Sequence, residues 1–365
     1  MGQSVSKDDF IWAYTEQPHL SRRTAVLKKH PKIKQLYGTD ESFKFVVIAM
    51  VLFQIFMCWL LQDEDWILIF LEAYVCGGVI NHAMTLAIHD ISHNTAFGNK
   101  YPLWNRFFGM LANLPVGVPF SVSFKKYHVA HHRYLGEEFL LLFSRIEITN
   151  MSSTLKSHYF LMEATYHLQK APNDLEIINA IVQIAFDAFV PHIFGIRSFL
   201  YLILGTFVAM GVHPSAGHFI SEHYVFKGTQ EIYSYYGLWN LYTFNVGYHV
   251  ENHDFPYIPR RNLPQAGTES IIFFTIVVKK FDQLLTAPCS VLEVTKIALE
   301  FYSNLHTRSS WTKVLWDFVF SPDMGPYMRL KRTASVAQTF RPRHALNEYY
   351  EAVSKISDVF KFIFY

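Results

Sequence analysis

Charge is scarce in this chain of 365 residues. Asp, Glu, Lys and Arg make up 17% of it, where an ordinary soluble domain carries about 25%. The charges nearly cancel, to a net +2, so no strong field draws nucleic acid to the surface. Cysteine is scarcer still. Cys58, Cys76 and Cys289 cannot build a disulfide framework, and without a CxxC pair the usual structural zinc site is excluded. No HExxH occurs, which argues against a zinc hydrolase. Internal repeats and low-complexity tracts are missing. The first apolar run begins only at Phe45, so no cleavable signal peptide is expected. Half of the chain, 51%, is hydrophobic and the mean hydropathy is +0.12, which excludes disorder.

That apolar content is concentrated in long runs. Phe45 to Leu61 has one polar side chain, Gln54, and Trp66 to Ile88 has one charge, Glu72. Each is long enough to cross a bilayer as a helix. Only Gln62 to Asp65 separates them, so they form a hairpin. Ile177 to Ile196 carries Asp187 alone, and Ser198 to Ser221 carries no charge. These form a second hairpin turning near Gly195 to Arg197. The expected fold is an all-α membrane protein: four transmembrane helices in two hairpins, with a cytosolic helical cap.

Lysine and arginine set the orientation. Lys7, Arg22, Arg23, Lys28, Lys29, Lys32, Lys34 and Lys44 precede the first run, whereas the first hairpin turn has three acids and no Lys or Arg. Both termini and the segment between the hairpins are expected to face the cytosol. Phe107 to Phe124 is uncharged but broken by Gly109, Pro115, Gly117 and Pro119, and reads as an interfacial or re-entrant segment. The start, Met1-Gly2-Gln3-Ser4-Val5-Ser6, fits a myristoylation pattern with Gly2 as acceptor.

The chain is rich in one residue type, with 18 histidines. Three groups stand out: His89 and His93 as HxxxH, His128, His131 and His132 as HxxHH, and His249 and His253 around Asn252 as HxxNH. At this histidine content an HxxxH pair arises by chance, whereas an HxxHH does not. On a helix, positions i, i+3 and i+4 share a face, so each group can aim its imidazoles at one point. All three groups fall on the cytosolic side and can converge. Neutral imidazoles suit iron, zinc, copper or nickel. Seven are too many for one tetrahedral zinc and suit two metal ions. Two irons can split dioxygen and attack an unactivated C–H bond, an oxidant needed beside a long apolar chain. His82 shares the face of His89 within the second run and reads as a hydrogen-bonded core residue.

The three boxes and two hairpins resemble the membrane-bound lipid desaturases and hydroxylases. The strings at 81–90 (NHAMTLAIHD), 104–110 (WNRFFGM), 131–136 (HHRYLG), 245–249 (NVGYH) and 253–256 (HDFP) are similar to the sphingolipid Δ4-desaturases, that is, the dihydroceramide desaturases. The resemblance covers roughly Met1 to Gly136, Ala171 to Pro264 and Leu292 to Arg332. It implies an enzyme of the endoplasmic reticulum membrane with two iron ions. O2 would be consumed and electrons would come from cytochrome b5 and its NADH-dependent reductase. The substrate would be dihydroceramide, desaturated at Δ4 or hydroxylated at C4. The ligands carried over are His89, His93, His128, His131, His132, His249 and His253. One further histidine is expected before the third box, with His218 the first candidate and His223 the second.

The chain departs from this family in three places. Asn252 stands where the third box normally has histidine, and offers at most a weak carbonyl ligand. Glu137 to Lys170 lacks the acidic, turn-rich character of the family. Gln265 to Val291 reads as an extra stretch. The expected organisation is therefore a cytosolic segment 1–44, a membrane core 45–264, an atypical insertion 265–291 and a cytosolic C-terminal region 292–365. Asn252 also leaves open a desaturase-like paralogue with an incomplete iron site, acting in lipid or partner binding.

Overall fold

A computed structural model describes residues 11–15, 17–133, 135, 172–260, 297–321, 324–325 and 328–332. Gly2 and the two departing stretches lie outside the described residues. The chain is mostly helical. Helix α1 spans Pro18–Lys29. Helix α2, Glu41–Leu60, starts at Asp40, whose carboxylate accepts from the amides of Ser42 and Phe43. Asp65 caps α3, Trp66–Glu72, in the same way, so the helix of each of the first two apolar runs starts on an acid. A π-helical turn, Ala73–Gly77, carries α3 into α4, Gly78–Ser92.

Helix α5, Pro102–Asn113, passes through a 3-10 turn, Leu114–Val116, towards α6, Ser121–Arg133. The chain bends there by 113°. Helix α7, Asp174–Ala209, opens on a capping box between Asn173 and Glu176. It leaves helical geometry at Gly195, with φ 83°, a conformation that glycine adopts without steric cost. Two helical arms therefore meet where the sequence expects a turn. Short helices α8, Gly217–His223, and α9, His249–Asp254, precede α10, Trp311–Phe320.

Among the described residues, three helices are long and apolar enough to cross a membrane: Glu41–Leu60, the continuous Trp66–Ser92 and Asp174–Ala209. The bent pair Pro102–Val116 and Ser121–Arg133 makes a fourth if it counts as one span. Phe45, Leu52, Phe56, Ile67, Phe70, Ile181 and Ile184 on these helices are exposed, as lipid-facing side chains are. Inward, the lone polar residue of the first run finds its partners. Gln54 donates to Asn81 at 2.6 Å and accepts from the Tyr201 hydroxyl at 2.7 Å. The Asn81 amide reaches the Pro115 and Leu202 carbonyls and the Thr206 hydroxyl. Away from water each such group needs a partner, and this knot ties α2, α4 and α7 together. Arg197, just past Gly195, donates to the carbonyls of Asp63 and Glu64 at 3.1 and 2.9 Å, so the two turns sit side by side.

The all-α expectation needs one correction. Strands β1, Ile11–Ala13, and β2, Leu330–Arg332, pair in parallel. Three residues carry no readable alternation, and a pairing across more than 300 residues leaves no local trace. Arg332 locks this junction by donating to both oxygens of buried Glu231. Removing one partner of such a buried pair costs about 3–5 kcal/mol.

Candidate metal centre

The histidines collect at the ends of α4, α6, α8 and α9. His89 lies in the last turn of α4 and His93 caps it. His128, His131 and His132 lie in the last two turns of α6, and His249 and His253 lie on α9. The approach to α9 is tight. A side chain at Gly247 would place its Cβ 2.2 Å from the Tyr235 carbonyl, while the Gly247 amide donates to Asn240 at 2.8 Å. Glycine just ahead of the third box is thus a requirement of close backbone approach.

Among the described residues, three groups of ligand atoms form. His89, His93, His128 and His132 make the first; His131, His223 and His253 the second; Glu222, His223 and His249 the third. The last two share His223 and make one cluster. The second box divides between the clusters. On α6, His128 and His132 sit one turn apart and nearly in line, while His131 is turned away by one residue's rotation. The His132 and His253 rings stack with centroids 4.1 Å apart, so the clusters adjoin.

The spacing bears on a metal. The Nε2 of His128 lies 2.9 Å from the Nε2 of His93 and of His132. In the other cluster, Nε2 of His223 lies 3.1 Å from that of His131 and 2.8 Å from that of His249, and His253 and His249 are 3.1 Å apart. Two nitrogens about 2.1 Å from one ion and at right angles lie about 3 Å apart, so each cluster has the edge lengths of a coordination sphere. Burial holds His223, His249 and His253 well below the usual histidine range and His93 at about 3. Neutral imidazoles are the form that binds metal. The residues present fit two ions of an imidazole-binding metal.

The carboxylates nearby are equally buried. Glu222 Oε1 lies 3.2 Å from Nδ1 of His249. Its burial raises the carboxyl to about 7. Asp254, which follows His253, is raised to about 6 by burial, against the pull of Arg22. Arg260, 1% exposed, brings one guanidinium nitrogen within 2.7 and 3.1 Å of the two His89 nitrogens. A guanidinium only donates and a neutral imidazole has one lone pair, so Arg260 and a metal compete for His89. The Asp90 carboxylate, 3.6 Å from Arg260 Nε, is the alternative partner.

Of the residues expected from sequence, seven histidines are brought together. His218 is not with them. It packs edge-on against His82, with centroids 4.7 Å apart, and its Nε2 lies 3.7 Å from Glu222. The second candidate, His223, takes part in both remaining groups. His82 is within hydrogen-bond distance of the Ala209 carbonyl, as a core residue would be. Asn252 is buried on α9, and neither its Oδ1 nor its Nδ2 meets a hydrogen-bond partner among the described residues. An orphaned carboxamide costs about 1–3 kcal/mol; a weak metal ligand here would account for Oδ1 but not for the Nδ2 donor. Glu222, Asp254 and Arg260 were not singled out by sequence reasoning. The only available signals were Glu222 beside His223 and Asp254 beside His253.

Comparison with known proteins agrees with this geometry. A family model described as sphingolipid Delta4-desaturase (DES) matches residues 6–42, and one described as fatty acid desaturase matches residues 64–270. A putative sphingolipid delta(4)-desaturase/C4-monooxygenase of Caenorhabditis elegans is 55% identical over 368 residues, covering 96% of this chain and 92% of that protein. The sphingolipid delta(4)-desaturase DES1 of Drosophila melanogaster is 44% identical, covering 91% and 98%, and that of Homo sapiens is 41% identical, covering 91% and 97%. With matches of this extent and a double cluster of imidazoles at the ends of apolar helices, the chain belongs to the sphingolipid Δ4-desaturase family.

Proposed function

We propose that this chain is an O2-dependent di-iron desaturase that introduces a Δ4 double bond into dihydroceramide, with C4 hydroxylation as a second outcome at the same carbon. The observation that carries this reading is the pair of adjoining imidazole clusters beside the end of the apolar helix α4, the first buried and the second half-buried at His131 and His223. When bound, an iron pair supplies activation of dioxygen and removal of hydrogen from an unactivated C–H bond. His89, His93, His128 and His132 would hold one iron, and His131, His223, His249 and His253 the other. Glu222, grouped with His223 and His249, would add a carboxylate to the surroundings of the second iron. Burial of the four histidines of the first cluster would limit access of bulk water there. Electrons would come from cytochrome b5 and its NADH-dependent reductase.

In this reading the membrane core, residues 45–264, crosses four times in two hairpins that turn at Asp63–Asp65 and at Gly195. The boxes, the N-terminal segment and the C-terminal region are cytosolic at the endoplasmic reticulum, with myristoylation at Gly2. Tags after Lys100, Lys227 and Tyr365 are expected on the cytosolic face, and one between Asp63 and Asp65 on the lumenal face. Protease protection of microsomes reads this directly. Lys100 and Lys227 on opposite faces would rule out a single site.

The second reading is a non-catalytic paralogue, favoured by Asn252 and by the hold of Arg260 on His89. Expression in cells lacking their own desaturase, followed by lipid mass spectrometry, separates the two. The desaturase converts dihydroceramide; the paralogue leaves it unchanged. Asn252→His is expected to raise turnover, and to raise iron content wherever the natural protein falls short of two irons, and Asn252→Leu to lower both, when iron and product are measured per mole of protein. No change in either variant would remove Asn252 from the metal site.

A further inference from the structure

Helix α1 belongs to no apolar span, yet it lies against both ligand helices. His19 is buried, and its Nε2 lies 3.1 Å from the His132 carbonyl. A carbonyl only accepts, so Nε2 carries the proton. The same ring sits edge-on to His253, with centroids 5.4 Å apart. Two residues earlier, the Gln17 amide donates to the Arg133 carbonyl at 3.2 Å. These are last-turn carbonyls of α6, which have no partner within their own helix. Helix α1 therefore caps the helix that carries the second box.

One turn further along, Arg22 grips the third box. Its Nε and terminal nitrogen donate to the two oxygens of Asp254 at 2.6 and 2.9 Å. Asp254 is fully buried, ends α9 and directly follows His253. The Tyr302 hydroxyl donates to the same carboxylate at 2.8 Å. Helix α9 has only six residues, too few to hold a direction unaided. Its middle is held through Glu251, which accepts from Ser234 and Tyr236 at 2.7 Å each. Its end, and with it His253, is held by Asp254.

We propose that His19 and Arg22 are positioning residues of the metal centre: α1 fixes the end of α6 against the end of α9 and so aligns His253 with His131 and His223. The proposal rests on the ligand assignment above. It makes the N-terminal segment a working part of the site, not a leader to the first membrane helix. It also predicts a selective defect. Asp254 adjoins a ligand of the second cluster, so loosening Arg22 affects that cluster and leaves His89, His93, His128 and His132 in place.

The test uses full-length enzyme purified with iron. The readouts are iron per chain, the rate of iron release to a chelator, and the melting temperature of the iron-free protein. Wild type is expected to hold about two irons. Arg22→Met is expected to hold about one, with release from the affected site at least ~10-fold faster. Arg22→Lys, which keeps the charge but not the two-pronged contact, should fall between. Arg22→Met combined with Asp254→Asn removes the unpaired buried carboxylate. It should recover the melting temperature of the iron-free protein but not the lost iron. His19→Gln, which keeps a donor for the His132 carbonyl, should retain iron better than His19→Phe.

Two full irons in Arg22→Met, or recovery of the second iron in the double variant, would overturn the positioning role. So would equal loss from both clusters, which marks a fold defect. Wild type without a pair of irons would instead refute the ligand assignment, and the positioning role with it.

Discussion

His128→Ala is expected to abolish conversion of dihydroceramide, a loss of at least ~1000-fold if detectable, while the protein stays in the membrane at normal abundance. His128 is the pivot of the first cluster, since its Nε2 lies 2.9 Å from both His93 and His132. Its removal takes a ligand from between two others, whereas partners outside the ligand set typically cost 10–100-fold. The fold should survive because it rests elsewhere, on the apolar helices and on the Gln54–Asn81–Tyr201 knot. Lipid mass spectrometry beside an immunoblot of the membrane fraction checks both halves. Full conversion by this variant would remove metal binding from the second box.

The second large effect separates two neighbours on one short helix. His223→Ala is expected to hold about one iron in place of about two and to lose at least ~100-fold in conversion. His218→Ala is expected to keep both irons and most activity. His223 bridges the second cluster through contacts of 3.1 and 2.8 Å. His218 meets His82 and Glu222 instead. Iron analysis of the two purified variants decides between them. The reverse pattern would mean that α8 presents its other side to the metal.

That pair also marks where the sequence stops being readable. The first two apolar runs and the break at Gly195 follow from local chemistry and are found where composition and turn residues put them, whereas the run Ser198 to Ser221 is helical only to Ala209 and resumes as the short α8. The convergence of three boxes is legible too, because helical periodicity fixes which side chains share a face. His218 and His223 lie five residues apart on a helix of seven, and which of them faces the ligands depends on how α8 packs. No local pattern records that. The Arg22–Asp254 grip joins residues 232 positions apart, and the β1–β2 pairing joins the two ends of the described chain. Asn252 is a converse case. The sequence marks it as a departure from a histidine box, and burial without a partner gives that departure a physical consequence.

The most direct test of the account is the metal content of purified wild-type protein, taken together with its conversion of dihydroceramide when cytochrome b5 and its reductase are supplied. The account predicts about two irons per chain and a Δ4-desaturated or C4-hydroxylated product that disappears when the iron is removed and returns when it is restored. A protein that holds zinc, or fewer than two irons, and leaves dihydroceramide unchanged would contradict it.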